Sequence, residues 1–285
     1  MVRPLVLRGV VVGALGGLLA YVFGRIFATP LIQAAIDFES GRDQAKAALA
    51  AAAGQTPEAP DPELFSRAVQ GNLGLGIGMM AFGVAVGLFF AVAFCMAYGR
   101  TGNLRPRQLS LLVALAGFMT LFFLPFLKYP ANPPSIGNPD TMRDRGALYL
   151  LMMVASVLVA IASVWLGKRL RLRFGTWSAT LLACTAFMVV IGALMAVLPP
   201  LGQLSANVEQ SGNLLTETPQ PMRNVTGAIV YPGFDADLLY RFRLFSVGAQ
   251  AILWTAIGLT FAPLTDHVFR AHGAPTQQEV GAARA

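Results

Sequence analysis

The sequence predicts an all-α polytopic membrane protein with about six transmembrane helices, and three observations carry that prediction. Of its 285 residues, 55% are hydrophobic and only 12% charged, where a soluble domain carries about 25% charge. The mean hydropathy is +0.61. Six stretches free of Asp, Glu, Lys and Arg are close to the roughly 20 residues a helix needs to cross a bilayer core. They place spans at about 9–27, 74–98, 109–127, 146–166, 176–198 and 241–263. This composition excludes a soluble enzyme, a disordered scaffold and a disulfide-stapled mini-protein.

The first span follows Arg3 and Arg8 and ends near Arg25, with no A-x-A site behind its apolar stretch. It reads as an uncleaved helix whose arginines reach the interfaces. Residues 30–66 read as an outer helix and linker: Leu31, Ala34, Ala35 and Phe38 share a face, alanines continue to Ala53, and Gly54 to Pro62 ends the helix. Gly9, Gly13 and Gly17 in span one, and Gly74, Gly78, Gly83, Gly87 and Ala91 in span two, form small-residue stripes that suit close helix packing. A conduit for substrate along the same stripes is the alternative. Cys95 and Cys184 lie inside apolar runs, in no metal-binding spacing, and read as buried packing residues.

After span three, four prolines between Pro130 and Pro139 predict a stiff polyproline-like segment. Residues 199–238 form a long polar loop, an ordered cap or a lid, and carry the sequon Asn224–Val225–Thr226. Residues 264–285 are the tail. With the N-terminus in the cytoplasm, the inner segments hold 11 basic and 2 acidic residues and the outer ones 10 and 12. Net charge is then +9 inside and −2 outside, so all six spans obey the positive-inside rule. The formal charge of +7 and pI of 9.9 are therefore topological, and nucleic acid is not an expected partner; membrane lipids are.

Enzyme signatures are missing: there is no HExxH, Walker A or GxSxG, and no His, Asp or Glu within a span. The protein reads as a non-enzyme without a cofactor. Candidate residues gather at the outer ends of spans. Lys128 opens the proline loop, and Asn132, Asn138, Asp140 and Thr141 follow. Asp140 and Thr141 suit a helix cap; as an alternative they are hard oxygen ligands. Asp237 and Arg241, four apart, predict an ion pair, either an ordinary interface pair or a gate, with Arg243 beside them. Asp37 and Glu39 on the outer helix offer further oxygen ligands. Met79–Met80 and Met152–Met153 read as apolar packing.

The run Leu124–Pro125–Phe126–Leu127–Lys128–Tyr129–Pro130–Ala131–Asn132–Pro133–Pro134, with Gly137, Pro139, Asp140 and Thr141, resembles the signature of the CbtA family, cobalt transporter subunits of bacteria. Arg25, Pro30, Leu31, Ile36, Phe38 and Glu39, Val69–Gln70, and Asp237 to Leu244 with Gln250 and Trp254 are similar to it as well. The resemblance implies an inner-membrane subunit moving cobalt or another divalent cation, without its own ATPase, beside a small one-span CbtB-like partner with a histidine-rich tail. Residues 40–66 lack the histidines of many members, so a site of Asp37, Glu39, Asn132 and Asp140 offers oxygen alone. Such a set selects poorly for cobalt over magnesium or manganese. A non-transporting scaffold that binds a membrane partner, and a permease for an organic solute, are the competing readings; an oligomer is left open.

Overall fold

The computed structural model describes residues 2–55, 74–101, 104–212 and 214–271. The predicted linker beyond residue 55, Val69–Gln70 and the tail beyond residue 271 lie outside them. In chain order the helices are α1 (Val2–Phe27), α2 (Thr29–Ala52), α3 (Leu75–Ala97), α4 (Pro106–Gly117), α5 (Leu124–Lys128), α6 (Met142–Val197), α7 (Ser205–Ser211) and α8 (Ala236–Ala271). A π-helical turn, Phe118–Phe123, joins α4 to α5. Two strands, β1 (Met222–Arg223) and β2 (Ile229–Tyr231), pair antiparallel. Among the described residues, five helical stretches are long and apolar enough to cross a membrane, one of them 65 residues long. The chain divides into two compact units, one of residues 1–29, 61–118 and 245–285, the other of 30–60 and 119–244.

The first unit rests on small residues. A Cβ placed on Gly13 would overlap the carbonyl of Gly83, and one on Gly83 would overlap that of Gly13; Gly9 meets Gly87 and Ala91 in the same way, and Gly17 meets Met79. The pairs run in opposite senses, so α1 and α3 are antiparallel, with backbones in direct contact. The stripe on α3 differs from the predicted one: Gly78 has nothing within 4 Å of a Cβ, while Gly76 packs on Tyr21. The step from Gly78 to Gly83 is five residues, so Gly78 stands one position off the contact face, which passes through Met79, Gly83 and Gly87. α8 completes the unit. Leu253 packs on Gly16 and Trp254 on Gly117. Phe261 lies edge-on to Phe90 and Phe94, at 5.0 Å from each. The buried Ser110 hydroxyl donates to the Gly258 carbonyl at 2.8 Å.

In the second unit α6 is interrupted at Gly175, where φ is 75° and ψ 172°, a conformation essentially restricted to glycine. The chain folds back there: a Cβ on Gly167 would sit 3.3 Å from that of Ala183, residues that lie about 24 Å apart along a straight helix. Its two arms close around Met152 and Ile191, with Leu124, Tyr129, Tyr149, Phe187 and Leu194 in the same cluster. Lys168, Arg169, Arg171 and Arg173 end the first arm, where cations suit the helix dipole, and Arg169 stacks on Trp165 at 4.6 Å. Cys184, expected to be buried, is exposed on the second arm; an apolar run does not say which face meets the protein.

The predicted outer helix is α2. Ala35 is fully buried, and Phe38 packs on Tyr231 and Phe234 at 5.3 and 5.1 Å. The Tyr231 hydroxyl donates to the Phe38 carbonyl at 2.9 Å. The described residues within 199–238 include α7 and the strand pair. Asn224 of the sequon builds the strand turn, its Oδ1 accepting from the amides of Thr226 and Ala228 at 3.0 and 2.9 Å.

Candidate functional site

The residues after α5 fold into a packed turn rather than a polyproline rod. Pro133 is fully buried, its carbonyl accepts from the Ile136 amide at 3.1 Å, and Ser135 takes a positive φ of 68°. Tyr129 anchors the start, its hydroxyl donating to the Pro199 carbonyl at 3.0 Å. Burial pushes its phenol above the ordinary range, so it stays a donor at neutral pH.

Asn138 closes the turn. Its Oδ1 accepts from the Asp140 amide at 3.0 Å, which makes Asn138 the cap of the 3₁₀ turn Pro139–Thr141. The expectation that Asp140 and Thr141 cap the next helix by their side chains is corrected. Thr141 occupies the position before α6 without a side-chain cap bond, and the Asp140 carboxylate is exposed. The extra 3₁₀ turn moves the capping duty three residues upstream. The Thr141 hydroxyl instead lies 2.8 Å from the Asn138 carbonyl and 3.2 Å from Glu217 Oε2.

Glu217 is the centre of the site. Its side chain is 2% exposed. Oε1 accepts from Asn132 Nδ2 at 3.1 Å and Arg145 Nη1 at 2.7 Å; Oε2 accepts from Thr141 Oγ1 and from Asn207 Nδ2 at 3.3 Å. Asn207 also donates to the Leu201 carbonyl at 2.7 Å. The network continues through Asn132, whose Oδ1 accepts from Arg243 Nη2 at 2.9 Å, while Arg243 Nε donates to the Ala131 carbonyl at 3.2 Å. One carboxylate thus ties the proline turn, the first turn of α6, α7 and the base of α8. Gly137, with φ of 121°, leaves room for it: a Cβ there would lie 2.9 Å from Arg145 Nη1 and 3.2 Å from Glu217 Oε1.

Of the predicted site residues, Asn132, Thr141 and Arg243 meet at this centre. Lys128 lies over the Tyr129 ring at 5.8 Å. Asp37 is exposed and accepts from Gln33 at 2.8 Å. Glu39 has one buried carboxylate oxygen without a hydrogen-bond partner; burial first, then Asp43, raises its pKa, against the pull of Arg42 and Lys46. The predicted ion pair of Asp237 with Arg241 does not form. Both side chains are exposed, and water solvates two such charges better than a flexible contact holds them. Among the described residues no three of His, Cys, Asp and Glu come together as a metal site. Glu217, Arg145 and Asn207 escaped sequence reading because their partners lie up to 85 residues away.

Searches among curated proteins and among solved structures give no match. A family model described as probable cobalt transporter subunit (CbtA) matches residues 2–266, which includes the proline turn, Glu217 and Arg243. The chain belongs to the CbtA family.

Proposed function

We propose that the chain is the membrane-embedded subunit of a bacterial inner-membrane uptake system for cobalt or a similar divalent cation, with no ATPase of its own. Family membership over residues 2–266 is the observation that carries this reading. The chain crosses six times with both ends in the cytoplasm, α6 contributing two crossings through its turn at Gly175. The distribution of Lys and Arg supports that orientation, as do Trp165 and Trp177, exposed on either side of the turn, where interfacial aromatics belong. In this arrangement the Glu217 centre faces outward.

The cation is met by carboxylates at outer helix ends, among Asp37, Glu39, Asp140 and Asp237, with Asp140 first. Its carboxylate is exposed and its amide is held by Asn138, so it sits on a fixed turn and loses little freedom on coordination. A small one-span subunit rich in histidine supplies the softer ligands that favour cobalt. The test is radiolabelled cobalt uptake in cells with and without the small partner, comparing wild type with Asp140→Asn at matched membrane abundance. Wild type with its partner takes up cobalt, and the variant loses uptake several-fold. Equal uptake in the two would remove Asp140 from the cation path.

A scaffold that binds a partner and moves nothing is the second reading. The hydrogen bonding of Glu217 favours it, because four protein donors already occupy the carboxylate. Cobalt uptake absent from wild type with its partner present would establish that reading instead.

A further inference from the structure

We propose that the first unit holds one anionic phospholipid in a groove between α1 and α8, with the lipid phosphate on Arg8 and an acyl chain along Leu7, Val11 and Leu264. The groove has a volume of about 350 Å³ and is lined by Pro4, Leu7, Arg8, Val11 and Leu264. Arg8 is half-buried, and among the described residues it makes no hydrogen bond or ion pair. A guanidinium carries five donors and stays charged; at a membrane surface it takes an anion if the protein offers none.

Among its described side chains the unit offers none. Its described side chains include Arg3, Arg8, Arg25, Arg100, Arg105 and Arg107, and no Asp or Glu. The antiparallel pairing of α1 with α3 brings the N-terminal end of α1, with Arg3 and Arg8, to the end of α3 that leads to Arg100. The remaining lining is apolar, which suits a chain-bearing phosphate and not a free one. Basic pockets between membrane helices recognise anionic head groups in this way.

The test uses the full-length chain in mild detergent. Native mass spectrometry compares phosphatidylglycerol with phosphatidylcholine of identical acyl chains, supplied in equal amounts. Wild type retains one phosphatidylglycerol with about fivefold preference, the scale expected for one basic residue at a membrane surface. Arg8→Gln abolishes the preference, Arg8→Lys keeps part of it, and Arg3→Gln leaves it intact. Val11→Phe, which fills the groove and preserves the charge, lowers retention, and it carries the test if Arg8→Gln does not fold. Excess inorganic phosphate does not displace the lipid. Equal retention of both lipids, an unchanged preference in Arg8→Gln, or displacement by phosphate alone would each overturn the assignment. An internal pair between Arg8 and Asp266, two residues past Leu264 in sequence, predicts the unchanged preference.

Discussion

Replacing Glu217 by alanine takes an acceptor from the side-chain amides of Asn132 and Asn207 and strips Arg145 of its counter-ion, while Thr141 keeps the Asn138 carbonyl. Breaking a buried pair costs about 3–5 kcal/mol, and the lower figure applies because Arg145 is 26% exposed and water reaches it. Thermal unfolding in detergent should show a large loss for Glu217→Ala, with early proteolysis between residues 199 and 235. A loss no greater than that of an exposed substitution such as Glu209→Ala would reduce the centre to surface decoration. Asn132, Thr141 and Arg243 were legible as site residues because they lie on or beside a recognisable motif. Glu217 was not: a lone acid between threonines carries no periodicity, and its burial is created by partners from three other segments. The ion pair of Asp237 with Arg241 failed for the converse reason. Spacing on a helix makes a pair possible, but solvent decides whether it forms.

Between α1 and α3 the glycine contacts make a sharp contrast within one helix. Gly83→Ala places a methyl against the Gly13 carbonyl and the Gly17 backbone, and overpacking of this kind costs about 1–3 kcal/mol. Gly78→Ala, with open space around its Cβ, should be neutral or gain up to ~1 kcal/mol from helix propensity. Unfolding midpoints of the two single variants check this; equal effects would mean that α1 and α3 do not touch along this face. The helices themselves were readable from charge-free length alone, and α2 from its apolar face. Gly83, Gly87 and Ala91 were readable in register with Gly13 and Gly9, whereas Gly78, five residues before Gly83, falls one position off that face. The proline segment was read as a rod since four fixed φ angles suggest one. The structure bends it instead at Ser135 and Gly137, where positive φ values reverse the chain.

At the scale of the whole molecule the topology is the main expectation. In a background where Cys95 and Cys184 are replaced by serine, Gln210→Cys should react with an impermeant thiol reagent in intact cells, and Leu170→Cys should react only after lysis. Labelling of residue 170 from outside would reverse the proposed orientation. The apolar runs were read correctly as helices long enough to cross a membrane, yet nothing in the sequence foretold how they are grouped. The first unit draws on three separated pieces of chain, residues 1–29, 61–118 and 245–285, and its last helix supplies the side chains that cover Gly16 and Gly117. Biogenesis inherits a fixed order from this. α1 leaves the ribosome long before α8 and waits in the bilayer for it, and a nascent chain released before α8 emerges has an open seam beside its glycines. Quality control in the membrane therefore gains a natural checkpoint at α8, since the glycines of that unit stay uncovered until it has inserted.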